Sequence, residues 1–341
     1  MNQKVDLVTL KSPPPARYRK FYGSLKKVFE TNLMTGSIVR SDHMRMNYGA
    51  VISCINLVPK VLTASKYAVI DINALSSTFM HLPKYAVVDF RTPLSYELSW
   101  FGHNILSSFA GLMEKELRNV KVVFAANELM ANYCIECGAR KVYVLPNYPT
   151  TSFHPTVKAD QWKVSHGITQ SEPLVLFTGG DKIREVYGID MLLESWKIAE
   201  DSSDKGKLVI LGDECLNYIR RKINSLEIKR FLLTGRVSTG DVANWVNSAD
   251  LCLAPRTPGF SSAYYNSRDS TKISEYATLG KPVLASLYAP SDQYVLVDPN
   301  PKDFAEGILK GLDGKIHPSK PHFWEENEPL LFQALKDFWS E

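Results

Sequence analysis

The chain has 341 residues, 45% of them hydrophobic and 22% charged, and a formal net charge of +4. That length predicts two domains, and that composition excludes a disordered or fibrous protein. No window approaches about 18 uninterrupted apolar residues, which argues against a membrane-spanning helix, and the opening Met-Asn-Gln-Lys-Val-Asp-Leu-Val lacks a secretory apolar core and reads as a first strand.

In the first half, apolar runs predict strands at 5–10, 37–40, 67–72, 85–90, 122–125 and 142–145. Helical patterns fall between them near 17–32, 46–63, 94–118 and 128–137. The second half repeats the alternation, with strands at 174–178, 208–211, 230–234, 251–254 and 283–285. Its helices are expected near 189–201, 215–226, 239–248, 270–279 and 301–312. Strand–helix alternation of this kind predicts parallel sheets covered by helices on both faces. Two successive sets predict two doubly wound α/β domains, each with a ligand crevice at the carboxyl ends of its strands. Pro146-Asn-Tyr-Pro149 closes the first set, and 150–173 is polar and without strong periodicity. The expected domains are therefore 1–150 and 151–320. A terminal helix over 321–341 has its own apolar stripe of Leu331, Leu335 and Phe338 and needs a surface to bury it.

Charge is divided unevenly. Residues 1–150 hold 18 Lys and Arg against 10 Asp and Glu, and residues 151–341 hold 22 against 26. A basic half suggests an anionic partner. No nucleic-acid-binding motif is present, so a membrane or phospholipid-like surface is favoured over nucleic acid. Arg17, Arg19, Lys20, Lys26 and Lys27 flank an apolar stripe of Phe21, Leu25 and Val28. That pattern suits a membrane surface or a plain helix over a core, and both stay open. The five cysteines are scattered. The lone pair Cys134-Ile-Glu-Cys137 reads as two helix thiols before a redox or metal half-site. The seven histidines show no metal-ligand spacing.

The chemistry-bearing stretches lie mostly in the second half. After the 174–178 strand come Gly179-Gly180-Asp-Lys182-Ile-Arg184 and a helical pattern from Gly188. A glycine-rich turn between strand and helix lets backbone approach a phosphate. The stretch is neither a dinucleotide fingerprint nor a phosphate loop of the Gly-x4-Gly-Lys type. Arg236 and Val237 follow the third strand of this half, and Arg256 follows the fourth, ahead of a Gly-, Ser- and Tyr-rich loop over 257–268 that suits a lid. Asp269–Ser286 reads as a short helix, a Gly-Lys-Pro break and a buried strand. Lys272 and Glu275 project about 60° apart on that helix. A cation and a carboxylate beside a helix start could hold a phosphorylated, hydroxyl-rich ligand such as a nucleotide sugar. A solvated i,i+3 ion pair is the plainer alternative. In the first half Asp89 and Arg91 end a strand, either facing a ligand or forming a structural ion pair.

In order and spacing these pieces resemble the GT-B glycosyltransferases of family 4. The resemblance rests on Val142-Tyr-Val-Leu-Pro-Asn147, on Gly180 to Leu193 with its Gly-Ile-Asp-x-Leu-Leu, and on Ala249-Asp-Leu-Cys-Leu-Ala-Pro255. Its most specific element is Glu275-Tyr-Ala-Thr-Leu-Gly-Lys-Pro-Val283, and Trp324-Glu325 opens a helix like the one that crosses back to the first domain. The resemblance implies two Rossmann-like domains facing a central cleft, acceptor on the first and nucleotide sugar on the second. It implies a retaining hexosyltransferase that needs neither metal nor cofactor, acting on a glycan or lipid-phosphate-linked acceptor in the cytoplasm or peripherally at the inner face of a membrane. Lys182, Arg184 and Lys272 would face the diphosphate, Glu275 the ribose or sugar hydroxyls, and Arg236 and Val237 the base. Gly179, Gly180 and Arg256 complete the implied donor set, while Glu275, Asp89 and Arg91 are the implied catalytic residues. Ser267 stands where the family often carries a first Glu, and Tyr187 where many members carry Lys. A non-catalytic nucleotide-sugar-binding relative and a GT-B-type nucleotide-sugar epimerase are the rival readings.

Overall fold

The structure is a computed structural model and describes residues 4–12, 14, 16–39, 68–71, 86–100, 102–179, 188–212, 216–257, 271–288 and 291–340. The expected helix near 46–63 lies outside them. The chain divides into two units, Met1–Asn147 with Trp324–Glu341, and Tyr148–Phe323.

The first unit holds six parallel strands in the order β2-β1-β3-β4-β5-β6. They are β1 (Lys4–Ser12), β2 (Glu30–Val39), β3 (Ala68–Asp71), β4 (Ala86–Phe90), β5 (Val122–Ala125) and β6 (Val142–Val144). Successive residues of a strand face opposite sides of the sheet, and the two cores show it. Val87, Val122 and Phe124 pack with Tyr18, Phe21, Leu25 and the terminal helix on one face. Val88, Phe90, Val123 and Ala125 pack with Met130, Ala131 and Cys134 on the other.

β2 corrects the sequence reading. The helix expected to reach residue 32 ends at Leu25, and strand begins at Glu30, seven residues before the expected start. The reason is alternation: Leu33 packs against one core and Met34 against the other, a period of two across a segment read with a period near 3.6. The helix expected over 94–118 is also divided, into Leu94–Trp100, Asn104–Glu114 and a 3-10 turn Lys115–Asn119. Gly102 ends the first piece at φ +79. Its N–H reaches the Ser99 carbonyl, and the His103 N–H reaches Leu98. These paired bonds close a helix on a left-handed glycine.

The helix Ala16–Leu25 turns its apolar side inward, with Tyr18, Phe21 and Leu25 fully buried. Of its cations, Arg17 is buried against Asp89, Lys20 donates to the Asn147 side chain, and the nearby Lys27 pairs with Glu328 at 2.5 Å. Of the stripe expected as a membrane or core face, Phe21 and Leu25 are therefore core, and Val28 past the helix end is exposed. The terminal helix Glu328–Ser340 buries Leu331, Ala334, Leu335 and Phe338 on the same core. Trp324 precedes it, donating from Nε1 to Ser24 Oγ and meeting Phe21 edge-on at 5.1 Å. This helix carries acidic residues into the first unit. The unit then holds 19 Lys and Arg against 15 Asp and Glu, and the second unit 21 against 21. The sharp contrast between the halves shrinks to +4 against zero.

The second unit is also a six-stranded parallel sheet, in the order β12-β11-β10-β7-β8-β9. Its strands are β7 (Leu174–Thr178), β8 (Lys207–Leu211), β9 (Phe231–Gly235), β10 (Leu251–Ala254), β11 (Val283–Ala285) and the short β12 (Val295–Leu296). From β7 the chain winds first through β8 and β9, then returns to lay β10 on the other side of β7. That is the doubly wound dinucleotide-fold order. The helices Ile189–Ser202, Leu216–Ser225 and Pro301–Leu312 pack on one face with Phe177, Ile210 and Leu253. Thr239–Ser248 and Thr271–Thr278 pack on the other, with Leu176, Val209 and Ala254. A helix Ala159–Ser165 stands inside the stretch read as an unstructured boundary; its half-buried Trp162 joins this second core.

Cys134 is buried and Cys137 half-buried, both as free thiols. Burial pushes both thiols up, so they stay protonated and behave as packing groups.

Two predictions follow from buried charge. Asp89 accepts from Arg17 through Nε and Nη2 at 2.8–3.0 Å, and Arg17 Nη1 donates to the Leu145 carbonyl. Removing one partner by Asp89→Ala leaves a buried guanidinium and costs about 3–5 kcal/mol in urea denaturation. Replacing both, Arg17→Met with Asp89→Leu, costs less than that single change. Glu114 is fully buried and accepts from Ser95 N, Ser95 Oγ and Tyr133 Oη. Burial raises its pKa more than these bonds lower it. The folded state therefore holds the proton over a window in which the unfolded chain has lost it. Stability contributed by Glu114 is full below the ordinary glutamate range and falls as pH rises through the raised value. Glu114→Gln should flatten that stretch of a melting-temperature-against-pH profile.

Candidate functional site

The second sheet parts at one place. β7 and β8 stay paired up to Thr178↔Leu211, and β10 and β11 up to Ala254↔Ala285. β7 and β10 pair only at Val175↔Leu251 and Leu176↔Cys252. The strand order reverses here, so the last residues of β7 and β10 open a crevice at their carboxyl ends, the place where doubly wound sheets take ligands.

Two close approaches flank this opening, Gly179 with Lys272 and Gly188 with Arg256. Gly179 leaves β7 at φ +130, and a Cβ there would lie 2.9 Å from Lys272 Nζ. The Lys272 ammonium also stands 4.2 Å from the Phe177 ring centroid, a cation–π distance. Across the opening, Gly188 sits at φ +57 ahead of the helix Ile189–Ser202, and a Cβ there would press within 3.3 Å of the Pro255–Arg256 backbone. Both glycines have the two reasons a chain needs glycine: a left-handed backbone and a close neighbour. Arg256 is buried, its guanidinium 3.6 Å from the Tyr288 ring centroid. Ser286 clamps it, accepting from Arg256 N and donating to Arg256 O at 2.9 and 2.8 Å.

Helix Thr271–Thr278 presents Lys272 in its first turn and Glu275 one turn on, both half-buried. Tyr276 is fully buried, and burial pushes its phenol far up, so the hydroxyl keeps its proton. That hydroxyl accepts from Thr178 N at 2.8 Å and stands 2.8 Å from Thr178 Oγ1.

Of the residues expected at the site, Gly179 and Lys272 come together, with Glu275 on the same short helix, while Arg256 meets Gly188 and Tyr288. Gly180, Lys182 and Arg184 lie outside the described residues, as do Ser267 and the expected lid except Thr257. Arg236 is exposed beyond β9, two strands from β7, and Val237 packs against a core. In the first unit Asp89 takes the ion-pair alternative: it has no exposed surface and Arg17 occupies its oxygens. The expectation that it faces a ligand is corrected, because a sealed carboxylate cannot touch substrate. Arg91 is a quarter exposed, with Nε 3.7 Å from Asp89 Oδ2. Tyr276, Ser286 and Gly188 were not among the expected site residues. Ser286 had a signal in register, since it follows β11 where Arg256 follows β10. Among the described residues no cluster of His, Cys, Asp and Glu is arranged to hold a metal ion, and no helix is long and apolar enough to cross a membrane.

Known proteins resemble this chain both in part of its sequence and in its fold. Residues 172–313, nearly all of the second unit, match the family described as glycosyl transferases group 1. No curated protein matches the chain in sequence. Among solved structures, sucrose-phosphate synthase from Thermosynechococcus elongatus is similar with a TM-score of 0.70 at 12% identity, covering 99% of this chain and 100% of that one. Anabaena HepE in complex with UDP and glucose gives 0.66 at 12% identity, covering 98% and 100%. A putative UDP-N-acetylglucosamine 2-epimerase from Listeria monocytogenes gives 0.65 at 13% identity, covering 100% and 97%. The chain has the GT-B fold, and residues 172–313 are similar to the group 1 glycosyl transferases.

Gly179→Ala tests the crevice directly. It forces an L-residue to φ +130 and sets a methyl against Lys272, and should cost about 1–3 kcal/mol of stability in thermal or urea unfolding. The same change at Gly314, at φ +70 with open space around it, meets backbone strain alone and should cost less.

Proposed function

We propose that this protein is a retaining glycosyltransferase that moves a hexose from a nucleoside-diphosphate sugar to a glycan or lipid-phosphate-linked acceptor. The observation that carries the reading is the approach of the Lys272 ammonium to the Gly179 backbone where β7 and β10 part. A departing diphosphate needs positive charge and close backbone there, and fixed cations stabilise it without reorganisation. In this reading Lys272, with Lys182 and Arg184, faces the diphosphate, and Glu275 accepts hydrogen bonds from ribose or sugar hydroxyls. The bond from the anomeric carbon to the diphosphate breaks, the acceptor oxygen forms its replacement on the same face, and the acceptor's proton passes to the departing diphosphate oxygen. No metal or cofactor takes part, since side chains carry the charge. HepE binding UDP and glucose on the same fold supports the donor class.

Lys272→Ala should weaken UDP or GDP binding by about 1.5–3 kcal/mol in calorimetry, the range for hydrogen bonds to charged groups. Glu275→Gln should lower turnover far more than it moves the melting temperature, and turnover should survive EDTA. Unchanged diphosphate affinity in the Lys272 variant would overturn the assignment of this crevice. The epimerase on the same fold gives the second reading its footing: donor turnover with no acceptor present would favour it.

The acceptor side belongs to the first unit in this reading, at an anionic membrane surface on the cytoplasmic side. Support comes from that unit's net charge of +4 and from apolar side chains left in the open, with Ile105 87% and Leu112 61% exposed. An amphipathic surface of this kind inserts shallowly into lipid. Sedimentation with anionic vesicles should show binding at low salt that weakens at high salt. Its absence at low salt would leave a soluble acceptor.

A further inference from the structure

We infer that Tyr276 is a positioning residue for the diphosphate crevice, acting through Lys272; the inference rests on the donor site proposed above. β10 leaves β7 after Leu176, yet β7 continues to Thr178. Its last backbone N–H therefore needs a partner on the side where the sheet has opened, because a buried N–H left unmade is costly. Tyr276 supplies it from the helix that follows β10. The hydroxyl takes the Thr178 N–H and stands at hydrogen-bond distance from Thr178 Oγ1. One side chain thus pins helix Thr271–Thr278 to the end of β7.

Lys272 lies four residues before Tyr276, one helical turn away. Its ammonium rests beside Phe177 and against the space a Gly179 side chain would need. Phe177 and Gly179 flank Thr178, which carries the Tyr276 contact. The strut therefore sets the distance between the Lys272 ammonium and the Gly179 backbone, the two groups that a diphosphate must meet together. Loss of the hydroxyl frees the helix end to drift while the aromatic ring keeps the core filled. An error near 1 Å in placement is enough to weaken a preorganised contact.

A double-mutant cycle in the full chain tests this, with UDP and GDP as probes in calorimetry. Tyr276→Phe should weaken diphosphate binding roughly tenfold in the Lys272 protein and should have little further effect in the Lys272→Ala background. A residue that only fills the core would change both backgrounds equally or neither. Thr178→Val removes half of the contact and keeps the ring and backbone. It should give a smaller loss with the same dependence on Lys272, and it carries the test if the Phe variant does not fold. Additive losses, or wild-type affinity in Tyr276→Phe and Thr178→Val, overturn the inference. A protein that binds neither UDP nor GDP even as wild type overturns the donor-site reading instead.

Discussion

Parallel strands in a doubly wound sheet must separate where the chain reverses its direction of winding, and in the second unit that separation falls between β7 and β10. Every feature of the candidate site answers it. Two strand ends without each other as partners leave backbone groups to satisfy and a crevice to line. Tyr276 satisfies one of those groups, Ser286 holds the Arg256 backbone, and Gly179 and Gly188 let the chain turn close to Lys272 and Arg256. The Lys272 ammonium stands at a place where apolar packing has stopped and polar backbone begins.

The first unit is organised differently. Its buried pair, Arg17 and Asp89, joins the helix Ala16–Leu25 to the end of β4 and, through Leu145, to the turn after β6. The guanidinium also lies 5.2 and 5.4 Å from the ring centroids of Phe21 and Trp324. Trp324 begins the returning segment, so the same cation holds the terminal helix in place. Charge used in this way is removed from the surface. The returning segment brings Glu325, Glu326, Glu328, Asp337 and Glu341 against Lys336, and that is why a strongly basic half in sequence becomes a mildly basic unit in space.

The alternation of apolar runs and helical patterns, the glycine and proline stops around the 271–278 helix, and the terminal apolar stripe were all legible in the chain, because periodicity and turn chemistry are local properties. So was the placement of Lys272 and Glu275 on one helix. The strand at Glu30 was not. Its apolar residues divide between two cores that exist only once the sheet is built. Nor could local sequence separate the two readings of Asp89. The choice depended on Arg17, 72 positions away in the chain, and on whether that arginine faced solvent or core.

Residue types and their spacing were enough to mark two doubly wound domains, since strand–helix alternation rests on interactions within a few residues. Strand order, the opening between β7 and β10, and the partners brought to it belong to the folded chain alone. Thr178 and Tyr276 are 98 residues apart, and no local propensity connects them. They meet because right-handed crossovers return the helix after β10 to the flank of β7, where an unpaired N–H and a buried phenol satisfy each other.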